Sequence, residues 1–137
     1  MIKFSVDGVP VPQGSMKHIG QGRMIHARSK ELALWRASIA LAADRAECKI
    51  HSGPIKVKAV FRLKRPKTVK RLFPIVAPDL DKLIRGLLDA LTNVAYEDDA
   101  QVIDIIAEKV YSDTPGVDVE IYWLGASNLP PEGLLFS

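Results

Sequence analysis

Apolar and polar positions alternate from Ile2 to Val6, the pattern of a strand with one buried face, and Asp7-Gly8 ends it. Val9-Pro10-Val11-Pro12-Gln13-Gly14-Ser15 follows, a stretch whose prolines and glycine forbid regular structure. The loop continues through Lys17, His18, Gly20, Gly22 and Arg23, and the pattern leaves room for a short strand at Met24–His26. Ser29 is then a candidate N-cap for a helix over Lys30–Ala46, with Leu32, Trp35, Ile39, Ala43 and Ala46 on one stripe. Ile55–Leu63 alternates again, with Ile55, Val57, Ala59, Phe61 and Leu63 on the core side and Lys56, Lys58 and Arg62 facing out.

A second loop covers residues 64–78, and leucines at 80, 83, 87 and 91 predict a helix over Leu80–Leu91. Asn93 suits a left-handed stop after it. A turn at Tyr96-Glu97-Asp98-Asp99 leads into a strand over Gln101–Tyr111. Ser112–Gly116 reads as a hairpin-like turn before a last strand, Val117–Trp123. The order is β, (β), α, β, α, β, β, of the α/β (α+β) class: a small mixed sheet with two helices packed on one face. Residues 1–124 form one domain, and residues 125–137, with Leu129-Pro130-Pro131, read as a loose tail.

Composition narrows the class. Hydrophobic residues make up 47% and charged residues 26%, an ordinary globular balance. No apolar run approaches the length of a membrane span, and Met1–Asp7 lacks the plan of a signal peptide. The lone Cys48 excludes an internal disulfide framework and paired-cysteine zinc sites. The expectation is a cytoplasmic protein with no membrane partner and no organic cofactor. Charge distribution says more than the net +3: residues 1–71 carry 16 Lys and Arg against 4 Asp and Glu, and residues 72–137 carry 3 against 12. Such asymmetry fits one half that meets a polyanion, or two solvated faces that neutralise each other.

The acidic half holds the candidate chemistry. Pro78 keeps the chain extended, so Asp79 sits at the start of the second helix and Asp81 in its first turn. Arg85 follows one turn later, within reach of Asp81. If the Asp98-Asp99 turn folds back to this place, three or four carboxylates crowd together and require a hard cation, Mg²⁺ or Mn²⁺. The plainer alternative is an N-cap at Asp79, an ordinary surface ladder through Asp81, Arg85 and Asp89, and a polar turn at Asp98-Asp99.

These residues resemble a known signature: Asp79-Leu80-Asp81-Lys82-Leu83, Arg85, Asp89-Ala90-Leu91, then Asp98-Asp99-Ala100-Gln101-Val102. Together with the loop Gly8–Lys17, they look like the RusA family of Holliday-junction resolvases, small endonucleases common in phages and prophages, with similarity over about residues 1–123. The resemblance implies a RusA-like fold and a homodimer that binds four-way DNA junctions in recombination and repair. It implies paired symmetric cuts made with Mg²⁺, Mn²⁺ being a substitute. Asp79, Asp81 and Asp99 would be the metal-holding catalytic carboxylates, with Asp98 beside them. Arg85 stands where the family has lysine; a guanidinium stays protonated, so an electrostatic role survives there and a proton-transfer role does not. Lys82 stands where the family often has Asn.

DNA contact is expected from Lys17, Arg23, Arg28, Lys30, Lys64, Arg65, Lys67, Lys70, Arg71 and Lys82, chiefly to phosphates. A two-fold junction calls for two active sites, and Ile84 and Leu88, off the main stripe, suit either a dimer interface or the monomer core. His18 and His26 read as loop residues rather than ligands, and Trp35 as core. The rival readings are a non-catalytic DNA-binding module, a phosphoacceptor domain, and a nuclease for flaps or other branched DNA. A phosphoacceptor would carry its acidic pair after the first strand, whereas here the aspartates arrive after residue 78. The reading of residues 125–137 as a tail has a direct check. A chain ended after Leu124 is expected to melt cooperatively like the full chain, and loss of folding would place the tail in the core.

Overall fold

The alternation in the strands and the leucine stripe in the second helix decide which faces meet. In a computed structural model, which describes residues 1–14 and 22–125, β1 spans Ile2–Asp7, α1 Gly22–Arg45, β2 Ile55–Leu63, α2 Leu80–Leu91, β3 Val102–Tyr111 and β4 Gly116–Trp123. A short 3₁₀ turn, Asp99–Gln101, precedes β3. The four strands form one mixed sheet in the order β1-β4-β2-β3, with β2 and β3 parallel and the other pairs antiparallel.

Ile55, Val57, Ala59 and Phe61 of β2 are buried, as are Phe4 and Val6 of β1 and Val117, Val119 and Ile121 of β4. Both helices cover this face: α1 supplies Trp35, Ile39 and Ala43, and α2 supplies Leu83, Leu87 and Leu91. Each such large side chain, fully buried, stabilises the fold by about 1.5–3 kcal/mol. Ile84 and Leu88 are half-buried against the same core. The opposite face carries Lys3, Lys56, Lys58, Asp104, Asp118 and Glu120, none of them buried. Among the described residues no helix is long and apolar enough to cross a membrane.

The α2 boundaries match the leucine pattern, and Asn93 takes the left-handed conformation expected after it, with φ 68°. Two readings of the sequence are corrected. Met24–His26 is helical, because α1 begins at Gly22, and Ser29 lies inside the helix instead of capping it. Arg23, Met24, Ala27, Arg28, Lys30 and Glu31 are good helix formers and carry the helix through Ser29 at small cost.

The second correction concerns Ser112–Gly116, which is no hairpin: β3 and β4 are not neighbours, and β2 lies between them. The connection passes over the end of β2, where the Ser112 N–H donates to the Leu63 carbonyl at 2.9 Å. Arg62 fastens it there. Its guanidinium donates to the Thr114 carbonyl and the Val6 carbonyl, and pairs with Asp7 at 3.1 Å and Asp118 at 3.3 Å. A short link between two strands imitates a hairpin in sequence; only the long-range pairing of β2 with both shows otherwise.

Gly116 sits at this crossing with no room for a side chain. A Cβ there would lie 2.1 Å from the Val6 carbonyl oxygen and 2.6 Å from Arg62 Nη2. Gly116→Ala must therefore push β1 from β4 or dislodge Arg62. It is expected to lower stability by about 2–3 kcal/mol in urea unfolding. A midpoint equal to that of the parent would show that the strand ends yield freely.

Candidate functional site

Asp79 takes the N-cap position of α2 in extended conformation (φ −73°, ψ 140°), yet its side chain makes no capping hydrogen bond. Its backbone carbonyl accepts from the Leu83 N–H at 3.1 Å, and its carboxylate is exposed, 3.5 Å from Lys82 Nζ. Asp81, exposed in the first helical turn, presents a second carboxylate at the same positive helix end. Among the described residues neither carboxylate holds a backbone group, so both are available to a ligand.

The surface ladder of the plainer alternative does not form along α2. Among the described residues Arg85 is exposed and pairs with neither Asp81 nor Asp89; Lys82 takes Asp79, and Asp89 accepts from Gln13 Nε2. Arg36 Nη1 reaches Gln13 Oε1 at 3.4 Å, and the Gln13 N–H donates to the Lys82 carbonyl at 2.9 Å. The N-terminal loop is thus strapped across α2. The loop crosses closely at Gly86, where a Cβ would come into contact with the Val11 carbonyl oxygen at 3.4 Å.

Asp98 and Asp99 lie elsewhere. Asp98 caps the 3₁₀ turn, its Oδ1 accepting from the Ala100 N–H at 2.9 Å, while Asp99 is exposed at the first position of that turn. Gln101 pins the turn from both ends of its amide. Its Oε1 accepts from the Glu97 and Asp98 N–H groups at 3.0 and 3.1 Å, and its Nε2 donates to the His51 and Gly53 carbonyls at 2.7 and 3.0 Å.

This turn neighbours the C-terminal end of α2. Tyr96, fully buried, donates its hydroxyl to the Leu88 carbonyl at 2.7 Å. Burial, then the charges of Asp99 and Asp89, push its phenol well above the usual range. Asp79 and Asp81 are at the other end of this 12-residue helix, which is about 18 Å long at 1.5 Å per residue. The turn therefore does not fold back to Asp79 within one chain. Among the described residues no group of three or more His, Cys, Asp or Glu side chains could hold a metal ion.

Beside Asp79 is an open cleft of about 480 Å³ lined by Phe73, Ile75, Val76, Leu80, Ala107 and Lys109. Loop 64–78 forms its outer wall and is both basic and apolar. Lys64, Arg65, Lys67 and Lys70 are exposed; the Arg65 guanidinium lies 5.1 Å from the Tyr111 ring centre, and Arg71 Nε donates to the Tyr111 hydroxyl at 3.0 Å. Leu72, Phe73, Ile75 and Val76 are 71, 67, 80 and 49% exposed, a run of large apolar side chains in water that marks an interaction surface.

Lys30 is exposed on α1 and Lys82 on α2. Lys17 and the side chains of Arg23, His26 and Arg28 lie outside the described residues, as does His18. The pattern of the sequence missed the apolar run, whose only signal is large apolar residues among prolines without helical or strand period. It also missed Lys109, a lysine in the core-facing phase of β3, and the pinning role of Gln101.

Two comparisons bear on this arrangement. Residues 7–122 match the family described as Endodeoxyribonuclease RusA. The chain is also 31% identical over 134 residues to the uncharacterized protein YqaN of Bacillus subtilis (strain 168), an alignment that covers 88% of this chain and 94% of that protein. With a mixed sheet, two helices on one face and paired aspartates opening the second helix, the chain belongs to the RusA endodeoxyribonuclease family.

Proposed function

We infer that this protein is a metal-dependent, structure-selective endodeoxyribonuclease that resolves four-way junctions as a homodimer. The observation that carries the reading is the uncommitted pair Asp79 and Asp81 at the N-terminus of α2, next to an exposed basic and apolar loop, in a chain of this family. Two carboxylates suit Mg²⁺, which keeps several waters and takes one or two protein carboxylates together with substrate phosphate oxygens. Such an ion, when bound, supplies a polarised phosphoryl oxygen and an activated water.

The protein's own groups do the rest. Asp79 and Asp81 hold the ion, and Arg85, exposed one turn on, faces the same ligand as a permanent cation that attracts phosphate without moving a proton. Lys30, Lys64, Arg65, Lys67, Lys70 and Lys82 add exposed positive charge for the DNA backbone, joined by Arg71, which braces the loop on Tyr111. Lys17, Arg23 and Arg28, basic in the same half of the chain, extend that set.

Asp99 joins the site from a second copy. One chain holds it by the far end of α2, a helix about 18 Å long, and the described residues gather no group of three acids, so a three-carboxylate site closes only if the turn of one protomer meets the helix end of its partner. Asp98, engaged as a cap, supports that turn and leaves Asp99 as the ligand. Two shared sites related by a two-fold axis match the symmetry of a junction cut twice.

A mobile synthetic four-way junction, incubated with Mg²⁺ or with EDTA beside linear duplex and flap controls, decides the activity. Paired, religatable nicks confined to the junction and to the metal are expected; cutting of flaps instead would make this a nuclease for other branched DNA. Binding without cleavage under Mg²⁺ and Mn²⁺ would reduce the protein to a DNA-binding module. Asp81→Asn is expected to lower cutting by roughly 10³-fold or more while junction binding persists. Sharing has its own test, because Asp81→Asn and Asp99→Asn chains, each inactive alone, regain nicking when mixed and reassembled. Roughly a quarter of the sites become intact in that mixture, since half the dimers are mixed and each mixed dimer holds one unaltered site. A mixture as inactive as its components would place the three acids on one chain.

A further inference from the structure

Lys109 breaks the pattern of its strand. Ile105, Ala107 and Lys109 pair across β2 with Val57, Ala59 and Phe61, so all three stand in the phase that faces the helices. An ammonium in an apolar position is costly unless it is hydrogen-bonded. The Lys109 Nζ donates to the Val76 carbonyl at 3.0 Å and to the Pro78 carbonyl at 3.0 Å. These are the last turns of loop before Asp79, and the Pro78 carbonyl belongs to the same peptide unit as the Asp79 N–H.

That segment has little else to hold it. Pro74 and Pro78 have no N–H, and among the described residues the backbone bonds of residues 72–78 come down to Ile75 N–H to the Phe73 carbonyl, at 2.9 Å. Val76 and Ala77 are exposed, and the Asp79 side chain makes no cap bond that would fix its own orientation. Helix stability does not explain the lysine either: a cation beside a helix N-terminus opposes the helix dipole. Three donors on a flexible stem are suited to bridging two carbonyls from a strand, which no apolar residue in the same place would do.

We propose that Lys109 is a positioning residue for the reaction: by tying the Val76 and Pro78 carbonyls to β3, it holds Asp79 at the mouth of the cleft in register with Asp81. Asp79 and Lys109 line the same cleft, so slack at one displaces the other. The inference rests on the proposed role of Asp79 and adds a residue outside the acidic signature. Its expected size follows from geometry, because a misplacement of about 1 Å in a catalytic group costs on the order of 100-fold in rate.

The experiment uses the full chain, with Lys109→Met to keep the stem and remove the donors, and Lys109→Arg to restore a cation with donors. Hydrogen–deuterium exchange of peptides covering residues 73–83 is read first, without metal or DNA. Lys109→Met is expected to speed exchange at the hydrogen-bonded amides of Ile75, Lys82 and Leu83, the last two donating to the Asp79 carbonyl, and leave β2, β4 and α1 unchanged, with Lys109→Arg close to the parent. On the junction, Lys109→Met is expected to lower kcat by roughly 10-fold or more and leave KM within about threefold, while Lys109→Arg recovers most of the loss.

Unchanged exchange in Lys109→Met, or a kcat within about twofold of the parent in a parent that cuts, overturns the proposal. So does faster exchange throughout the sheet, which would make the lysine a general support of the fold. If the parent cuts no branched DNA, the proposed function fails, and the exchange pattern alone decides whether Lys109 holds the loop.

Discussion

The parallel pairing of β2 with β3 is the constraint from which the rest of this structure follows. Parallel neighbours need a crossover, and here it consists of loop 64–78, α2 and the turn before β3. Because the chain returns to the starting end of the sheet inside α2, the helix runs opposite to β3. Its N-terminus lies beside Ala107 and Lys109, and its C-terminus beside the turn that opens β3. The same pairing makes β3 an edge strand and sends its exit over the end of β2, where Arg62 and Gly116 accept it. One choice of strand direction thus sets both the acid at the mouth of the crossover and the distance to the acid at its end.

Burial divides this unit into a part that is fixed and a part that is offered. Leu83, Leu87 and Leu91 anchor α2, and Tyr96 and Gln101 lock the turn that follows. The N-terminal strap through Gln13 presses on the same helix from outside. By contrast, the carboxylates of Asp79, Asp81 and Asp99 are exposed and, among the described residues, spent on no backbone bond, and the loop leading to Asp79 carries Leu72, Phe73, Ile75 and Val76 into water. Rigid support beneath exposed polar groups is what a site needs if it is to act on a large ligand without first rearranging.

How much of this could be read from the chain depends on the range of the interaction. The α2 boundaries were legible because Pro78, four leucines at helical spacing and Asn93 each act locally. Alternation fixed the faces of β2 and β4 for the same reason. The path from Tyr111 to Gly116 misled, because a short polar link says nothing about which strand lies between its ends. Ser29 misled in the opposite sense, a good cap residue overridden by helix formers on both sides. The acidic residues of the candidate site stand out in the sequence by type and spacing, but their separation does not, since no local pattern records that α2 and β3 run in opposite directions. Lys109 illustrates the limit most sharply: the alternation gives its face, while the two carbonyls it serves come from a loop 31 and 33 residues away.

Separation of the acids has an energetic logic of its own. Three carboxylates in contact repel one another strongly when nothing neutralises them, and a monomer that gathered them would carry that cost in every state of its life. Here one chain meets only the pair Asp79 and Asp81, at the favourable end of a helix dipole and beside Lys82. Asp99 stays at the far end of α2, held by a turn that Asp98 and Gln101 stabilise without drawing on its own side chain. On the proposed reading the third acid arrives only with a second protomer, a cation and a phosphate backbone, so repulsion and its compensation appear together. On that same reading the repulsion among the three acids arises only in the assembly that also brings the cation to offset it, so neither protomer alone bears its cost.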